Sequence, residues 1–239
     1  MTNQREATSV RRPDGPNAGI LGIVSLVLSL CALLVPLLIA HGRLIPSPQE
    51  STRDIAGFYN AYPAAAVAAG FFTFGIAVPL GIYAATVYAR LLRLGVRVPG
   101  PGIAFYGGIS ASIFVGIAGL LTWILGQPIS GQTAATIHTV AYAVFALGGV
   151  GFVGGIGLLI AGIAVPTLIL RLAPRWLAWS GLVLAAICEL GFFSLLLPEF
   201  TACLPIGRYL GVVWLVVIGF LLPRNRHDIS TASVQHTVR

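Results

Sequence analysis

Four side chains in this sequence could do chemistry: Glu189, Arg208, His41 and His138. Glu189 lies near the middle of the apolar run 174–198, which holds no other acid. Bilayer hydrocarbon does not solvate a carboxylate, and an acid at the centre of a spanning helix costs roughly 2.5 to 3.5 kcal/mol even on insertion-based scales. Ala186, Ala185, Gly181 and Ala178 precede it at spacings of three, four, eight and eleven. Small residues on one side of a helix mark a close neighbour, so the spacing predicts an acid facing protein rather than lipid. In that setting Glu189 would serve as a proton or cation site, or as a hydrogen-bonding group that holds helices together. Arg208 enters the next apolar run close to the same boundary, where its guanidinium could reach the Glu189 carboxylate or, across the short connection, Glu199. His41 and His138 fall at one level, at the end of the first apolar run and the start of the fourth. Two imidazoles could hold haem or a metal, yet no third ligand stands beside them at ligand spacing, so they read first as interfacial histidines and no metal site or cofactor is expected.

Other catalytic arrangements fail on geometry. Gly108-Ile-Ser110 has the look of an intramembrane serine nucleophile, but Ser110 lies near one end of the third run and His138 near the opposite end of the fourth, roughly a ~30 Å hydrocarbon thickness apart. The chain has no glycine-rich phosphate loop, thiolate cluster or nucleophile elbow. Of its three cysteines, Cys31 and Cys188 fall inside apolar runs and Cys203 in an expected loop, which is not a disulfide framework. The residues therefore point away from an enzyme.

The elements that must position these groups are membrane helices. The 239 residues are 57% hydrophobic and 9% charged, with a mean hydropathy of +0.92, more apolar than a water-soluble domain sustains without large exposed patches. Six apolar stretches occur at about 19–41, 63–89, 103–125, 136–170, 176–198 and 205–222, each near or above the ~20 residues that a crossing helix needs. The fold class expected is an all-α integral membrane protein: a six-transmembrane-helix bundle at 19–222, flanked by polar tails at 1–18 and 223–239. The tails carry no apolar periodicity and are expected to be disordered.

The fourth stretch is too long for a single crossing. From Thr133 to Leu170 it carries no formal charge and would extend about 55 Å as a helix, so a turn within Gly148-Gly-Val-Gly-Phe-Val-Gly-Gly155 could divide it into two spans. The arginines discriminate. With six spans, Arg5, Arg11, Arg12, Arg90, Arg93, Arg97, Arg171, Arg175, Arg224, Arg226 and Arg239 share one side, against Arg43, Arg53 and Arg208 on the other; with seven spans the two sides carry equal numbers. The positive-inside rule selects six, both termini cytoplasmic, in a bacterial cytoplasmic membrane. The surplus of the fourth stretch then lies in its polar first turns, Thr133 to Tyr142, projecting beyond the membrane or lying along its surface. The connection 41–62 is long enough to hold a short surface helix. The net charge of +7 is accounted for by this topogenic arginine and calls for no nucleic-acid partner.

Gly148, Gly151, Gly155 and Gly162 combine a Gly-x-x-x-Gly pair with heptad spacing, the pattern of close helix contact within a bundle or between subunits. Trp214, in the middle of the sixth run, reads as a packing residue. Leu92-Arg-Leu-Gly-Val-Arg97 echoes Leu170-Arg-Leu-Ala-Pro-Arg175, a similarity that positive-inside pressure produces without duplication. Over the last quarter of the chain, Leu170-Arg-Leu-Ala-Pro-Arg-Trp-Leu-Ala-Trp-Ser-Gly181, with Leu204-Pro-Ile-Gly-Arg208 and Leu221-Leu-Pro-Arg224, resembles the C-terminal signature of an uncharacterised bacterial domain-of-unknown-function family of multi-pass membrane proteins. That resemblance implies the helical membrane architecture and carries no activity. The expected function is a non-catalytic membrane component binding a lipid or a protein partner, a second copy included. The alternative class is a small proton- or cation-coupled transporter built on Glu189, and a haem- or metal-binding protein on the two histidines is the weaker one.

Overall fold

The computed structural model describes residues 15–223, and the tails expected at 1–18 and 223–239 lie almost wholly outside them. Among the described residues six helices are long and apolar enough to cross a membrane: 18–39, 63–93, 100–125, 134–170, 175–195 and 198–221. They fit a multi-pass membrane protein, in the order read from the sequence. Helix α1 (Ala18–Ile39) starts on Asn17, whose side-chain oxygen accepts from the Gly19 amide at 3.0 Å. The connection after it contains the expected short helix, α2 (Thr52–Ala61), capped by Ser51, whose hydroxyl bonds Asp54 Oδ2 at 2.6 Å. Such caps satisfy amides that a helix start leaves without partners. α3 (Pro63–Arg93) begins on a proline, which lacks the N–H that would be orphaned there, and α4 (Gly100–Leu125) returns antiparallel to it.

The fourth stretch does not turn back on itself. α5 (Ala134–Phe145) runs through a π-helical turn at Ala146–Gly151 directly into α6 (Phe152–Leu170). The glycines that could have made a hairpin make one wide turn of a continuous rod instead. Its surplus length is covered: α5 buries Ile137 and Ala141 against Ile55, Phe58 and Tyr59 of α2, in a small apolar cluster at one end of the bundle, hereafter the α2 end. α6 stops at Arg171, which takes a left-handed conformation (φ 52°), followed by Pro174. α7 (Arg175–Leu190) loosens into a 3-10 turn at Gly191–Leu195, and a second at Pro198–Ala202 leads into α8 (Cys203–Leu221).

α4 is the centre of the bundle because small residues let two neighbours approach it. Gly148, Gly155 and Gly162 face Ala118, Ala111 and Ala104, two heptad rows running in opposite directions. A Cβ at Gly148 would lie 2.8 Å from the Ala118 Cβ; at Gly155, 2.7 Å from the Ala111 nitrogen; at Gly162, 2.4 Å from the Ala104 nitrogen. Of the two settings open to this stripe, the structure places it inside the bundle. On the other side of α4, Gly119 meets Phe74 and Gly70 meets Trp123 backbone to backbone. Without water to drive association in lipid, such close van der Waals contact is what holds helices together.

The opposite end is tied by side chains that reach main-chain carbonyls. Tyr83 donates to Leu215 O at 2.7 Å, and the buried Arg90 donates to Gly219 O at 3.0 Å, beside the last turn of α8. α1 and α8 touch here, where Gly19 packs on Phe220 and Gly22 on Val216.

Candidate functional site

The structure places the two charged candidates on different sides of α6. The Glu189 carboxylate lies over Gly157, its Oε1 2.8 Å from where a Cβ would be, and the residue is otherwise exposed. The acid thus meets α6 at the edge of the face where it was expected. Ala185, Gly181 and Ala178 are buried as read, while Ala186 is exposed. At about 100° per residue the buried arc of α7 is centred roughly 60° from Glu189, which leaves the acid on its edge. Arg208 instead lies over the Phe152 ring, 5.1 Å from its centroid. Phe152 and Gly157 stand roughly 140° apart around α6, so the guanidinium and the carboxylate do not meet. Arg208 pairs with neither Glu189 nor Glu199, and no hydrogen bond to it forms among the described residues.

Arg208 faces a chamber of about 410 Å³ in the α2 half of the bundle. One wall comes from α8, through Leu204, Pro205, Arg208 and Tyr209 on one helix face, and from Thr201 in the 3-10 turn just before it. Opposite stand Ala32 and Leu33 of α1, Thr73 of α3, Thr122 of α4 and the glycines of the π-helical turn. π-helical turns recur at functional sites because they break the regular ladder and open space in a helix face. The chamber separates the main core, represented by Val153 and Leu204, from the small α2 cluster, represented by Tyr59 and Ala141. Leu33 is 39% exposed on its rim and Pro205 is exposed across from it, so the chamber opens sideways between α1 and α8. Those two helices are in contact near Gly22 and Val216, and further along both line the chamber, at Leu33 and Tyr209.

The polar groups on this lining are one guanidinium and several hydroxyls. Besides the guanidinium, Thr201 holds a buried hydroxyl without a partner, and Tyr209, Tyr59 and Thr73 have none among the described residues. Burial pushes the Tyr59 phenol up to about 12, so it remains a neutral donor at physiological pH. Among the described residues no acid, histidine or thiol lines the chamber. An arginine at membrane depth costs roughly 2.5 to 3.5 kcal/mol on insertion scales. Its stacking on Phe152 returns about 0.5 to 2 kcal/mol, which leaves the charge only partly compensated.

The histidines make contacts within the protein. His138 Nε2 donates to the Pro48 carbonyl at 2.8 Å, since a carbonyl only accepts, and Nδ1 shares a hydrogen bond with the Thr52 hydroxyl at 2.7 Å. The ring also stacks on Tyr142, 5.0 Å between centroids. Both ring nitrogens are thus engaged within the protein. The bonds hold residues 45–48, which line the chamber, over its α2 end. His41 meets Tyr62 edge-on at 6.3 Å, and no group of three ligating side chains forms among the described residues.

Of the sequence candidates, then, only Arg208 belongs to the chamber, with Gly148 in its wall. Tyr59, Thr201 and Tyr209 were not singled out. Thr201 lies in the 3-10 turn before α8 and Arg208 inside α8, so no helical spacing marked them as one face. No protein-family model, curated protein or solved structure matches this chain.

Proposed function

We propose that the protein is a non-catalytic component of a bacterial cytoplasmic membrane, both termini on the cytoplasmic side, that binds a lipid in the chamber beside α8. The observation that carries this reading is the sideways opening between α1 and α8. A chamber with a mouth between two spanning helices exchanges its contents with the bilayer, and about 410 Å³ lies within the ~300 to 1,000 Å³ of ordinary ligand sites. The lining offers hydrogen-bond donors and apolar wall but no pair of groups that could exchange a proton with a reacting atom, which supports binding rather than catalysis.

Ala32→Trp places a large ring at the mouth, at a half-buried position on α1 that can take it without a change in the core. Native mass spectrometry of the purified protein should show bound lipid on the wild type and its loss from this variant. Equal lipid on both would remove the chamber as the binding site. The orientation follows from the arginine distribution. Reporter fusions after Arg97 and Arg175 should read cytoplasmic, and fusions after Pro48, Ser130 and Thr201 external; an external reading at Arg175 overturns the orientation.

A further inference from the structure

We infer that the chamber wall formed by Arg208 and Tyr209 of α8 with Thr201 of the turn before it binds the anionic headgroup of a membrane lipid, a phosphate or carboxylate, while its chain leaves between α1 and α8. This inference rests on the lipid-binding reading and adds the class of headgroup.

Charge complementarity carries it. Among the described residues the lining holds one cation and no carboxylate: the Arg208 guanidinium lies against the face of Phe152, and the buried Thr201 hydroxyl has no partner. That cation lacks an anionic partner, and the oxygens of a phosphate or carboxylate are what a planar guanidinium engages two at a time. A zwitterionic headgroup would bring its own cation into a lining without a carboxylate to receive it. A neutral one would leave Arg208 uncompensated.

The route of access selects a lipid over a free anion. Residues 45–48 lie across the α2 end of the chamber and are tied down through His138, whereas the side opening runs between the apolar residues Leu33 and Pro205. An ion from water meets the tied segment, and an amphiphile in the bilayer meets the open side. The guanidinium lies five residues into α8, about 8 Å from its start, a depth that a headgroup drawn slightly inward could reach.

Delipidated protein in neutral detergent, mixed with equal amounts of phosphatidylglycerol and phosphatidylcholine, tests this by native mass spectrometry. Wild type should retain phosphatidylglycerol in about tenfold preference, the scale expected for a paired guanidinium. Arg208→Gln should retain both lipids alike, and Arg208→Lys should restore part of the preference. Thr201→Val, which removes a hydroxyl at nearly constant shape, should weaken the preference and serves as the second probe if the glutamine variant does not fold. Equal retention by wild type, or an undiminished preference in both Arg208→Gln and Thr201→Val, overturns the headgroup assignment and leaves lipid binding standing. Retention of neither lipid by wild type removes the lipid reading along with it. Displacement of phosphatidylglycerol by millimolar inorganic phosphate overturns the lipid source in favour of a free anion.

Discussion

Gly155→Leu should destroy the folded bundle, while Gly154→Leu, one residue away, should leave it intact. At Gly155 the first added carbon would already lie 2.7 Å from the Ala111 nitrogen and 2.8 Å from the Gly107 oxygen, both backbone atoms of α4 that cannot swing aside. α4 and α6 would have to separate along their length, losing the neighbouring contacts at Gly148 and Gly162. Overpacking of a tight core costs typically 1 to 3 kcal/mol, and a clash with rigid backbone at the centre of the bundle belongs at the upper end, about 3 kcal/mol or more. Gly154 meets nothing within 4 Å. Leucine there gains helix propensity of roughly 0.5 to 1 kcal/mol over glycine and enters open space. Thermal unfolding of both variants in detergent should separate them by many degrees. Equal midpoints would mean that the α4–α6 contact does not hold the bundle.

The second large effect is expected at Trp214. The indole is 4% exposed, fills the space over Gly181 and donates to the Leu177 carbonyl at 2.9 Å, joining α8 to the first turns of α7. Truncation to alanine removes the largest side chain of that interface, at a cost of about 3 to 5 kcal/mol for a buried aromatic. Trp214→Phe keeps much of the contact and deletes the hydrogen bond, for about 1 to 2 kcal/mol. Unfolding in mixed micelles titrated with sodium dodecyl sulfate should rank wild type above phenylalanine and phenylalanine above alanine. An alanine variant as stable as wild type would show that α7 is held elsewhere.

The sequence was legible wherever one property sufficed. Run length and apolarity are local, so the six spans and α2 could be read directly, and arginine balance correctly refused to divide the fourth stretch. The glycine row was also visible, but its partner was not, although Ala104, Ala111 and Ala118 carry the same heptad. Which of several small-residue rows pairs with which is decided only when all helices compete for the same space. Glu189 shows a finer limit. Its neighbours at four, eight and eleven residues were correctly taken as buried, yet they all fall to one side of it, so a stripe that seemed to include the acid in fact ends at it. The chamber was the least legible part, since its walls come from α1, α3, α4, α5, α8 and the 45–48 segment, and no spacing within one helix records a space between several.

The π-helical turn at Ala146–Gly151 also sets the phase of the rod it interrupts. One residue more than a regular helix needs is accommodated there, so everything before it is rotated by roughly 100° relative to α6. The rod therefore serves two masters with independent aims: α6 keeps Gly155 and Gly162 on α4, while α5 turns Ile137, Ala141 and His138 towards α2 and the segment over the chamber. In a plain helix those two sets of contacts would compete for one orientation. The wide turn uncouples them, and the same glycines that permit it leave the chamber part of its room.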